Sequence, residues 1–281
     1  MIRSIILSSV TFVTAYLLYV MPVFILQSLF LGTAVFSTDA LVPTLVAFVL
    51  LRLYLATSIT NKLVKAFVYY GMGIGFLAVM ILSFVLLLKG LTGMDGMIAG
   101  SGGLAILGSG TAYCIINANS LTVRKLTLAS AKISRTANFA FISDVHVGSN
   151  PPRHLEKICQ RLHTLEFDAL LIGVSDEQPV PARAAAVEQL SREGAFNLAL
   201  VHQPSIWERT QSKIDLMLCG HTHNGQIFPF NFLVRLQFRH VHGLFAEGGS
   251  TLYVSSGAGC WGPRMRLGSR NEIVMIELRP A

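Results

Sequence analysis

The chain has 281 residues, 52% of them hydrophobic and 13% charged, with a mean hydropathy of +0.57. Soluble domains carry about a quarter charged residues, so a wholly soluble protein is excluded and a membrane segment joined to a soluble part is indicated. Residues 1–118 hold five of the 22 Lys/Arg and two of the 15 Asp/Glu, so the net +7 divides into about +3 there and about +4 in the charge-rich remainder. This mild basicity suits an anionic membrane surface or a phosphate substrate, and no nucleic-acid partner is expected.

In chain order, apolar tracts run from Ile5 to about Phe36 (interrupted by Pro22), from Leu41 to Ile59 (containing Arg52), from Phe67 to Leu88 and from Met97 to Ile116. A spanning helix needs about 20 apolar residues, so an all-α membrane domain of four spans is predicted over 1–118. The first tract is too long for a signal-peptide core and has no small-residue cleavage site after it. Arg3, then Arg52, Lys62 and Lys65, then Arg124, Lys125, Lys132 and Arg135 fall on one side, which predicts cytoplasmic termini. Arg52 would snorkel from its helix end, and no other charge lies in the spans, so an anchor is expected rather than a transporter. Gly71 with Gly75, and Gly96 with Gly100, have the small-xxx-small spacing of close helix packing. Cys114, Cys159, Cys219 and Cys260 are scattered singly, as in a reducing compartment.

From residue 119 the pattern becomes α/β. Leu121–Leu128 alternates like an edge strand, and Ala137–Ser143, Ala169–Ile172, Leu198–Val201 and Leu216–Cys219 read as buried strands. Leu155–Leu165 and Ala184–Leu190 have helical spacing, and Leu252–Ser255 and Ile273–Leu278 read as closing strands. Ligand-type residues follow three strands directly: Asp144 and His146, then His202, then His221 and His223. Ligands in open α/β sheets gather outside the carboxyl ends of strands, so three such strands side by side would converge five side chains on one rim. In an extended segment residues i and i+2 point the same way, so each x-spaced pair would reach one ion. Imidazole with carboxylate suits divalent zinc, manganese or iron.

Phe141-Ile142-Ser143-Asp144-Val145-His146, Val201-His202-Gln203-Pro204 and Gly220-His221-Thr222-His223-Asn224-Gly225 resemble the first, fourth and fifth motifs of the calcineurin-like metallophosphoesterases, above all their bacterial membrane-associated branch. The tail Gly257–Gly268 resembles that branch's closing loop, in which Arg264 and Arg266 are possible phosphate contacts. The resemblance covers roughly residues 121–281. It implies a two-sheet α/β sandwich and one or two divalent ions, with Asp144, His146 and His223 on the first and His202 and His221 on the second. It also implies a bacterial inner or plasma membrane, and phosphate-ester substrates, lipid-linked ones and membrane lipid included.

The family's second and third motifs, Gly-Asp-x-x-Asp and Gly-Asn-His-Asp/Glu, are missing between His146 and His202, and no Asn-His pair occurs. Either Val174 replaces the first Asp of the second motif, which in that family bridges the two ions, or an internal block is lost after Asp168; the second explains both absences at once. The expected sandwich is therefore truncated, with sheets short of interior strands and no catalytic residue assigned. The second ion would keep two imidazoles unless Asp176 or Glu177 moved in. Two readings stay open: a membrane-anchored phosphohydrolase of phosphomonoesters or phosphodiesters, and an inactive relative that binds metal or phosphate.

Overall fold

The computed structural model describes residues 2–56, 62–146, 150–172 and 180–281. These form two compact units, 1–114 and 115–281.

In the first unit, α1 (Ile2–Ala15) continues through a π-helical turn (Tyr16–Val20) into α2 (Met21–Leu31). Pro22 has no N–H for the Leu18 carbonyl four residues earlier, and the wider turn, closed by Met21 N–H on Tyr16 O, relieves the clash of its ring. Then come α3 (Leu41–Ala56), α4 (Lys62–Thr92) and α5 (Gly96–Asn119). Four helical stretches are long and apolar enough to cross a membrane: Ser4–Leu31, Thr38–Ala56, Leu63–Thr92 and Gly96–Asn119. They match the four apolar tracts read from the sequence. Ile25, Leu29, Ala78, Leu82 and Ala99 form the core between helices, while residues such as Val10, Leu45 and Phe84 point outward.

The predicted small-residue packing is present. A Cβ on Gly75 would lie 1.9 Å from the Leu18 carbonyl oxygen. Gly71 lies against the Tyr19 ring, Gly96 against Leu29 O and Gly100 against the Phe30 ring. Lys89 Nζ donates to Leu29 O at 2.7 Å, satisfying a carbonyl at the end of α2.

The second unit contains β1 (Leu121–Ser130), β2 (Ala137–Ile142), α6 (Pro152–His163), β3 (Ala169–Ile172), α7 (Val180–Leu190), β4 (Leu198–Leu200), α8 (Trp207–Thr210), β5 (Leu216–Cys219), α9 (Phe230–Gln237), β6 (Gly243–Glu247), β7 (Ser250–Val254) and β8 (Asn271–Pro280). The strands form two sheets, β1-β8-β2-β3 and β4-β5-β7-β6. Strand side chains alternate between faces, and β5 shows the consequence. Leu216 and Leu218 meet Phe141, Val274 and Ile276 of the other sheet, while Met217 and Cys219 pack outward with Ile206 and Trp207. On the other side, Ile158 and Leu162 of α6 cover Ala140, Ile142 and Ile273. The layers run helix, sheet, sheet, helix, the expected sandwich. β1 is an edge strand as its alternation predicts, paired in parallel with β8 along its whole length. Among the described residues each sheet has four strands.

Candidate metal centre

All five predicted ligand residues lie in the loops that leave β2, β4 and β5. β4 and β5 are parallel neighbours, which places His202 beside His221. β2 belongs to the other sheet, so the three strands are not side by side as expected; the ligands converge from two sheets facing each other. Nor are the x-spaced pairs extended. Asp144, His146, His221 and His223 have φ of 52°, 50°, 73° and 49°, the left-handed region that costs a non-glycine residue about 1–3 kcal/mol and clusters at functional sites. The turn through His221–His223 separates that pair, whereas Asp144 and His146 stay together: His223 joins them and His221 turns to His202.

Among the described residues, Asp144, His146 and His223 bring three ligand atoms within 4.8 Å of one another. His146 Nε2 and His223 Nε2 are 2.9 Å apart, and each lies 3.8 Å from Asp144 Oδ1. Two donors bound at about 2.0–2.2 Å to one tetrahedral ion are roughly 3.4 Å apart, a value these separations bracket. Asp144 Oδ2 accepts the His221 N–H at 2.9 Å, but Oδ1 is buried with no hydrogen-bond partner. A buried carboxylate oxygen without a donor is costly, and a cation facing two imidazole nitrogens would satisfy it. The residues present fit a divalent metal. The second pair, His202 Nε2 and His221 Nδ1, is 3.0 Å apart, and His202 turns its Nδ1 to Asp144 Oδ1 at 3.7 Å. Val174, Asp176 and Glu177 lie outside the described residues.

Burial, the largest influence, pushes the His223 pKa down to about 3, with the Arg266 charge adding and Asp144 opposing. Burial likewise lowers His146. Both imidazoles are therefore neutral near pH 7, the form with a lone pair for a metal. At Asp144 burial opposes ionisation, yet His223 and His202 in their protonated forms, with the His221 N–H, outweigh it and hold the carboxyl below its usual range.

Arg266 corrects an expectation. It is 0% exposed and points its guanidinium into backbone, donating to Ser256 O and Gly259 O at 2.7 Å and to His223 O at 3.3 Å. It braces the loop behind His223 and is not open to a phosphate. Arg264 Nη2 donates to Asn119 Oδ1 at 2.6 Å.

Three supports escaped the sequence reading. A Cβ on Gly220 would lie 1.9 Å from Asp144 Oδ2, and one on Gly257 would lie 2.8 Å from Asp144 Cβ. Asn150 Nδ2 donates to Val145 O, His146 O and Cys260 O, tying the Asp144 loop to the closing loop. The glycine beside the His-x-His was the available signal; nothing local marked Asn150.

No family model matches the chain, and no solved structure does. Among curated proteins, an uncharacterized metallophosphoesterase of Campylobacter jejuni is 53% identical over 85 residues, 30% of this chain and 23% of that protein. One of Helicobacter pylori is 46% identical over 86 residues, again 30% and 23%. A transmembrane protein with metallophosphoesterase domain from Bos taurus is 42% identical over 123 residues, 42% of this chain and 24% of that protein. Over these stretches the chain is similar to proteins named metallophosphoesterases. It spans about a quarter of the length of these metallophosphoesterase relatives. The name accords with the Asp144–His146–His223 cluster, a buried carboxylate and two imidazoles of the kind that bind divalent metal.

Proposed function

We propose that the second unit is a metal-dependent phosphohydrolase of phosphomonoesters or phosphodiesters, held at the cytoplasmic face of a bacterial inner or plasma membrane by the first. The observation that carries this reading is Asp144 Oδ1, buried, without a hydrogen-bond donor and facing His146 and His223. When bound, a divalent ion supplies Lewis-acid stabilisation of phosphoryl oxygens and lowers the pKa of water. Asp144, His146 and His223 would hold the first ion, zinc, manganese or iron by donor type. His202 and His221 would contribute to a second. Asp144 also fixes the His221 backbone through Oδ2, so one carboxylate positions both imidazole pairs. The one-sided Lys/Arg pattern of the loops supports the cytoplasmic orientation. Lipid-linked phosphate esters are the substrates that a membrane tether favours.

A metal-binding relative without turnover is the second reading. It is favoured by the His202–His221 pair, beside which the described residues place no carboxylate other than Asp144. The test is hydrolysis of a generic phosphomonoester and phosphodiester by the full chain with manganese, against Asp144→Ala and His223→Ala. The enzyme reading expects turnover that both substitutions abolish. Turnover no higher than in the variants would sink it, and elemental analysis would then tell a metal-binding relic from an empty site.

A further inference from the structure

We propose that α9 and the turn before it form a membrane-docking surface that seats the second unit on the bilayer. None of the eight residues of α9 is buried. Asn231, Val234 and Phe238 turn inward, and the apolar residues Phe230, Phe232, Leu233 and Leu236 face out, Leu236 at 85% exposure. Phe228 stacks edge-on against Phe232 with ring centroids 5.7 Å apart. Trp261, 61% exposed, has its backbone tied to the turn before α9, because Gln226 bonds both its N–H and its carbonyl. Such a contiguous apolar face marks an interaction site, not an ordinary water-exposed surface.

Two further observations select a bilayer. The first is position. Residues 115–119, the last turn of spanning helix α5, pack as part of the second unit. Asn117 Nδ2 donates to Arg266 O and Ser269 O, and Asn271 Nδ2 donates to Ala118 O. The same stretch carries Leu267, whose carbonyl accepts the Phe228 N–H and whose N–H donates to Gln226 O. A single loop thus joins the chain's exit from the last span to the aromatic turn. The second is charge. Residues 221–246 contain Arg235 and Arg239 and no Asp or Glu, and both arginines are exposed. Aromatic and leucine side chains with interspersed arginine are the composition of a helix lying in an anionic bilayer surface. The surface also touches the metal centre, because Phe238 packs against the His221 ring at 5.3 Å. The inference does not depend on hydrolysis.

The chain has two tryptophans, Trp261 exposed and Trp207 fully buried. This permits a direct test with the full chain in nanodiscs of phosphatidylglycerol and acyl-brominated phosphatidylcholine. Trp261 emission, isolated by subtracting the Trp261→Phe spectrum, is expected to fall to about half its value in unbrominated discs, most strongly with shallow bromines. The Phe232→Asp/Leu236→Asp variant should lose that quenching while buried Trp207 emission stays unchanged, which reports an intact fold. Equal Trp261 emission with and without bromine would overturn the proposal. So would bromine-insensitive emission that instead tracks self-association, which would assign the face to a second copy.

Discussion

Asp144 divides its two oxygens between two tasks: Oδ2 holds the His221 backbone, and Oδ1 faces the imidazoles. Gly220 makes this possible, since any Cβ there would strike Oδ2. Gly220→Ala should therefore lose most bound manganese by elemental analysis. It should also destabilise the protein by about 1–3 kcal/mol, the usual cost of overpacking, as read by thermal unfolding in detergent. Glu272 offers a pH test away from the ligands. Burial opposes its ionisation, but His242, the Ser256 N–H and Ser255 outweigh that and hold its pKa at about 2, against an ordinary 4.5. A pKa depressed by folding contributes stability above the unfolded value, so this contribution is full above pH 4.5 and is lost as pH falls through about 2. Glu272→Gln should remove on the order of 3 kcal/mol near neutral pH. It should also flatten the acid slope of unfolding free energy between those values. At this scale the candidate ligands were legible because each follows an apolar strand. The supports were not, because Gly220, Asn150 and Arg266 act across segments distant in sequence, and the left-handed turns at Asp144 and His146 occur in residues that do not advertise them.

The membrane helices separate tight glycines from idle ones. Gly75 abuts the Leu18 carbonyl, while Gly90, in the same α4, has nothing within 4 Å of where its Cβ would be. Gly75→Ala should cost about 1–3 kcal/mol through overpacking, whereas Gly90→Ala should be neutral or stabilising by up to about 1 kcal/mol through helix propensity. Thermal unfolding in one detergent measures both; equal effects would refute the packing assignment. Among elements, the spans and buried strands were readable from apolar length and alternation. β6 was not, because it is an edge strand with little buried surface. The Gly248-Gly249 pair between Glu247 and Ser250 was a hairpin signal, since both glycines have positive φ. α9 escaped because its apolar side faces outward, which core-seeking periodicity does not anticipate.

For the whole molecule the decisive feature is that the candidate ligand set straddles two sheets. Asp144 and His146 leave β2 of the first sheet, while His202, His221 and His223 leave β4 and β5 of the second. One-dimensional reading found the strand ends but could not assign them to sheets, because the pairing of β2 with β8 joins residues more than a hundred positions apart. An ion held by Asp144, His146 and His223 would therefore cross-link the two halves of the sandwich, and its binding energy would appear as folding stability. Saturation at about a hundred times the Kd adds about 2.7 kcal/mol, and for a unit of this size that raises the unfolding midpoint by roughly 5–10 °C. The shift should belong to the β-rich unit alone, leaving the helical signal of the first unit unmoved. A chelator should reverse it, and Asp144→Ala should abolish it. An ion that raised both transitions equally, or the same shift in the Asp144→Ala protein, would mean that the metal binds elsewhere and that the two sheets are joined by their apolar core alone.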